Sequence, residues 1–142
     1  MSDERASRIA PVGRDQGGCN IPPSEPFERG VALFNRRVYF ESHEVWEELW
    51  SVAEDREKKF IAALIQMAAA LHLRFERGGG RGTRNLLVQA LTALEDYRPS
   101  YHGVDVERLY SELTTYTERV EERKESEAGW LDRWLAPRIR LL

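Results

Sequence analysis

His43 and Glu47 stand one helical turn apart in the stretch FNRRVYFESHEVWEELW, residues 34–50. A histidine and a carboxylate at this spacing can share a proton, supply two metal ligands, or hold a polar ligand between them. Their neighbours are aromatic: Tyr39, Phe40, Trp46 and Trp50. An ionisable pair among apolar side chains needs a reason, because a charge withdrawn from water is costly unless it is paired or used.

The helix that must carry them can be laid out by angle. At about 100° per residue with His43 at zero, Glu47 falls near 40° and Trp50 near −20°. Tyr39, Trp46 and Phe40 fall near −40°, −60° and 60°. Val38, Val45, Leu49 and Val52 gather on the opposite side, near 180–240°. Glu41, Glu44, Glu48 and Ser51 share a single polar arc, which reduces the His43-Glu44 dipeptide to an incidental neighbour pair. A narrow polar arc predicts a helix buried on most sides, with His43 and Glu47 inside.

Four readings of this cluster follow. The first is a buried, hydrogen-bonded polar core in which Asn35 and Gln66 from neighbouring helices join His43 and Glu47, with Trp46 and Trp50 as N–H donors. The second is a metal site. It lacks both the H-E-x-x-H and the Glu-x-x-His patterns, so His72 or Glu76 would have to complete it. The third is acid–base chemistry in a small-ligand pocket, with Glu47 orienting His43 and with Asn35, Tyr39, Trp46, Trp50 and Gln66 as lining residues. The fourth is an interaction module that presents the acidic arc Glu41/Glu44/Glu48 or the pair Trp130/Trp134 to a partner. No cofactor is required by any motif.

The elements around the cluster are helical. The 142 residues suit one domain. Residues 1–25 mix charge with Gly, Pro and Ser and predict a flexible tail. Residues 26–126 carry helical periodicity, and residues 127–142 form a Trp-containing segment expected to pack back on the domain. Five helices are predicted: Pro26 to Arg37, Val38 to Ala53, Asp55 to Arg77, Thr83 to Arg98, and one capped by Asp105. The third, with the core FIAALIQMAAALHLRF, is apolar nearly all round and should be central beside the second. No stretch alternates as a strand would, so the fold class is an all-α, antiparallel five-helix bundle-like domain.

Composition narrows the partners. Lys+Arg 21 against Asp+Glu 24 leaves a net charge of −3, without the basic surplus that nucleic acid binding calls for. No apolar run approaches the roughly 18 residues of a membrane helix, and the first residues lack a signal-type apolar core. A cytoplasmic protein is the expectation, with a homodimer or an unidentified small ligand as possible company. The lone cysteine, Cys19, has no internal disulfide partner. Arg81 and Arg84 beside the glycines 78–80 resemble a phosphate cradle, but they lack the lysine and the strand of a P-loop and read as a helix–helix turn.

Gly30, Phe34 and Asn35, then Tyr39, Phe40, His43, Glu44, Trp46, Glu47 and Trp50, then Leu64, Ile65 and Gln66 together form a specific pattern. It resembles the prokaryotic family "domain of unknown function 309" from about Phe27 to Tyr97. Ala63 stands where that pattern has glycine. The resemblance implies a small all-α domain and carries no reaction with it.

Overall fold

The computed structural model describes residues 25–77, 81–122 and 135–142. Of the expected tail 1–25, residues 1–24 lie outside the described residues and Glu25 begins the first helix; Cys19, the glycines 78–80, Trp130 with Trp134 and the side chain of Arg81 also lie outside them. Among the described residues are helices α1 (Glu25–Asn35), α2 (Tyr39–Val52), α3 (Asp55–Arg77), α4 (Arg81–Leu94) and α5 (Val106–Glu122). The all-α expectation is borne out. α3 lies between α2 and α4, α1 packs on α2, and α5 packs on α4. Its apolar circumference explains that place: Phe60, Ile61, Leu64, Met67, Ala68 and Leu71 are all buried.

α1 stops at a tight reversal. Val38 N–H reaches the Leu33 carbonyl at 2.9 Å and Arg37 N–H reaches the Phe34 carbonyl at 2.9 Å. This is the paired bonding of a Schellman motif, with Arg37 at a positive φ of 67° where glycine is usual. The turn folds α2 back on α1.

How α2 is rotated follows from one contact. A Cβ added at Gly30 would lie 2.2 Å from Trp46 Nε1, so the indole sits where a side chain would otherwise be. The indole N–H donates to the Phe27 carbonyl at 3.4 Å. The Ser42 hydroxyl donates to the Gly30 carbonyl at 3.0 Å. Phe34 completes the wall, 6.0 Å from the Trp46 ring and edge-on to Tyr39 at 5.2 Å. α2 therefore buries the single stripe Tyr39, Ser42 and Trp46. The expectation of a central α2 buried on most sides is corrected: α1 and α3 cover one side only, and Phe40, Trp50 and Val52 remain exposed.

The chain between α4 and α5 also departs from expectation. α4 ends at Leu94 rather than Arg98 and passes through a 3-10 turn, Glu95–Tyr97. Two short strands follow, β1 (Ser100–Tyr101) and β2 (Val104–Asp105), paired antiparallel. Both residues between them have positive φ, His102 at 55° and Gly103 at 77°, as a type I′ turn requires. Strands of two residues are too short to alternate, so no period-2 signal announces them. Asp105 then caps α5 as expected, accepting the Arg108 N–H at 3.0 Å. Of the segment 127–142, residues 135–142 are described, and they run beside β2 through a bridge between Val104 and Leu141.

Gly30→Ala tests the close approach. Alanine should gain about 1 kcal/mol in helix propensity, but displacing an indole costs about 1–3 kcal/mol in overpacking. A contact at 2.2 Å belongs at the severe end. The urea midpoint should fall clearly, and an unchanged midpoint would contradict the contact.

Candidate functional site

The rotation of α2 turns His43 and Glu47 toward its outer flank. His43 Nε2 and Glu47 Oε2 are 3.1 Å apart, with side chains 24% and 55% exposed. The pair forms, but Glu47 reaches water, so its Coulomb attraction is screened and adds little stability. The carboxylate sits where it can orient the imidazole. In the neutral imidazole whose Nε2–H meets Glu47, Nδ1 is an acceptor. That atom is buried and has no hydrogen-bond partner among the described residues.

Aromatic side chains frame the pair. Phe40 lies 5.7 Å from the His43 ring and 5.3 Å from the His72 ring, between α2 and α3. Trp50 lies under the Lys58 ammonium, 4.2 Å from the ring centre. Phe40 is 46% exposed and Trp50 41%. Glu41, Glu44 and Glu48 are exposed on the same helix, as the polar arc implied.

The other expected site residues are distributed elsewhere. Tyr39 and Trp46 are buried core residues, with Tyr39 stacked on Phe75 at 5.9 Å. Gln66 donates to Gln89 Oε1 at 3.1 Å and ties α3 to α4 instead of joining His43 and Glu47. Asn35 faces the segment 135–142. Its Oδ1 accepts the Ile139 N–H at 2.8 Å and its Nδ2 donates to the Ile139 carbonyl at 2.8 Å. The wider cluster of His43, Glu47, Asn35 and Gln66 is thus not assembled. Glu76 is exposed, and no three His, Cys, Asp or Glu side chains converge on a metal position among the described residues.

A second ionisable pair has no spacing signal in the sequence, because its members are brought together only by the fold. His102 Nε2 lies 3.4 Å from Glu57 Oε2. The His102 ring meets Phe27 edge-on at 4.7 Å, and Phe60 and Tyr101 flank it. The Arg56 guanidinium stacks over Tyr97 at 4.6 Å, and the Tyr97 hydroxyl donates to the Arg56 carbonyl at 2.8 Å. The available sequence signal was a His-Gly step between tyrosine-rich runs. This group fastens the hairpin to α1 and α3.

Burial pushes the His102 imidazole below its usual value of 6.5, and the Glu57 carboxylate opposes that in part. The unfolded chain therefore takes up the proton first as pH falls. Stability that depends on neutral His102 is complete above the unfolded value and is lost as pH drops through it toward the lower folded value. His102→Asn keeps a residue that tolerates positive φ. It should flatten the slope of unfolding free energy between about pH 7 and pH 5. An identical slope in wild type and variant would show that His102 is not its source.

The segment that carries this geometry is similar to known proteins. Residues 27–86 match the family model described as Domain of unknown function (DUF309). An uncharacterised protein of Aquifex aeolicus (strain VF5) is 31% identical over 103 residues, which is 72% of this chain and 29% of that protein. The chain thus spans under a third of the length of the relative it matches. The matched segment holds α1, α2, α3 and the start of α4, with Gly30, Ser42, Trp46 and the His43–Glu47 pair inside it. Over that segment the chain is similar to the family described as Domain of unknown function (DUF309).

Proposed function

We propose that this chain is a helical interaction domain whose contact surface is the outer face of α2. The observation that carries the reading is the pair of half-exposed aromatic side chains, Phe40 and Trp50, set on either side of the His43–Glu47 pair. Large aromatics kept at a surface cost solvation and are the side chains that anchor partners. α2 contains four glutamates, Glu41, Glu44, Glu47 and Glu48, and no lysine or arginine. A partner suited to it has an apolar patch bordered by basic side chains. The Aquifex relative supports a modular role, since the matched stretch is 29% of a longer protein.

One observation favours a second reading, a small ligand. The buried Nδ1 of His43 is an acceptor without a donor, and a ligand hydroxyl or amine beside Phe40 would satisfy it. In either reading the protein works in the cytoplasm without nucleic acid. No helix among the described residues is long and apolar enough to cross a membrane.

The photocrosslinking residue p-benzoylphenylalanine, placed at position 50 and expressed in cells, tests the surface. It should give a discrete adduct that the same residue at position 107, exposed on α5, does not give. Glu44→Lys with Glu47→Lys should abolish that adduct. An adduct of twice the chain mass would make the partner a second copy. No adduct at position 50, or the same adducts at both positions, would contradict the proposal.

A further inference from the structure

The segment 138–142 is held as a peptide ligand is held. Five main-chain groups on four of its residues are bound by other elements. Glu112 Oε1 accepts the Arg138 N–H at 3.1 Å. Asn35 takes both the N–H and the carbonyl of Ile139, each at 2.8 Å. Asp105 N–H donates to the Arg140 carbonyl at 2.8 Å, and Leu142 N–H donates to the Gly103 carbonyl at 2.8 Å. Two side chains are read as well. Ile139 is 2% exposed, and the Arg140 guanidinium reaches Glu112 Oε2 at 2.6 Å. This is strand addition to a sheet edge, in which main-chain bonds give affinity and alternate side chains give selectivity.

The receiving surface is secured without the segment. β1 and β2 pair with each other, and His102 fastens their turn to Phe27 and Glu57. Trp46 locks α1 to α2, and Asp105 caps α5. Asn35, β2 and Glu112 therefore remain in place if the segment leaves. Asn35 shows the most: a side-chain amide that meets both main-chain groups of one residue acts like a neighbouring strand.

We infer that Asn35, β2 and Glu112 form a strand-acceptor site for an extended peptide with an aliphatic residue followed by arginine. Its occupant is this chain's own segment 138–142, bound here in cis and exchangeable for the same segment of a second copy. The site is separate from the α2 face, and neither depends on the other. Exchange preserves each of these main-chain and side-chain bonds, so cis and trans binding differ only through the connecting chain.

The probe is a fluorescent peptide of residues 135–142, followed by anisotropy. Ile139→Asp in the full chain puts a charge into the apolar position and ejects the cis segment. The peptide should bind this variant at least about tenfold more tightly than wild type, whose site is filled. Adding Asn35→Ala or Glu112→Gln to it should weaken binding by a similar factor. A variant with native helical circular dichroism that fails to bind peptide would overturn the inference. Should Ile139→Asp unfold, the wild-type chain cut at a protease site installed between residues 123 and 134 replaces it. Uptake of labelled peptide by the cut chain supports the acceptor site, and a cut chain that never exchanges its segment overturns it.

Discussion

The indole of Trp46 against the bare backbone of Gly30 is the constraint on which the rest of the molecule depends. It brings α1 and α2 closer than any side chain at position 30 would permit. It also fixes how α2 is turned about its own axis. Once Trp46 points at α1, Ser42 must meet the Gly30 carbonyl and Tyr39 must meet Phe34 and Phe75. His43, Glu47 and Phe40 are then carried to the flank and the surface, and Trp50 is exposed in the last turn of α2. The exposure of His43, Glu47 and Phe40 is a consequence of packing one turn away. The family pattern has two parts on this account. Gly30, Phe34, Tyr39 and Trp46 build the crossing, whereas His43 and Glu47 are what the crossing displays.

A second fastening lies at the other end of α1. His102 wedges between Phe27, Phe60 and Tyr101 and reaches Glu57, so the hairpin cannot move independently of α1 and α3. That hairpin in turn offers the edge along which residues 138–142 lie. Asn35, at the last turn of α1, closes the arrangement by bonding Ile139 across a sequence separation of 104 residues. Polar groups thus add directional bonds between elements that the apolar core also joins. Each such bond has a modest net value, about 1 kcal/mol, but together they decide which pieces touch.

The helices were legible because their apolar positions recur at helical spacing, and α3 was legible as central because it is apolar all round. Asp105 was legible as a cap from its type and place. The direction in which α2 faces was not. An angle count gives the positions of side chains relative to one another, never the direction of the core, so taking His43 as the inward reference misplaced Phe40, whereas Trp50 and Val52, expected within a helix buried on most sides, lie in its exposed last turn. The clue was Gly30, since a glycine inside a helix signals a close approach by something. The hairpin was hidden because its turn uses His102 where asparagine is the usual signal. Asn35 read as a pocket residue because its partner, Ile139, is joined to it only by the finished fold. Gln66 went to Gln89 rather than Glu47 because α3 turns that residue toward α4.

The opposite environments of two tryptophans on α2 test this account most directly. In a nitrogen-15 spectrum, the four indole N–H signals can be assigned by single Trp-to-Phe substitutions. A soluble paramagnetic agent should leave the Trp46 signal sharp, because that N–H is buried against the Phe27 carbonyl. It should broaden the signal of Trp50, which is exposed. A broadened Trp46 signal would mean that the indole does not sit against Gly30, and the crossing there would fall with it.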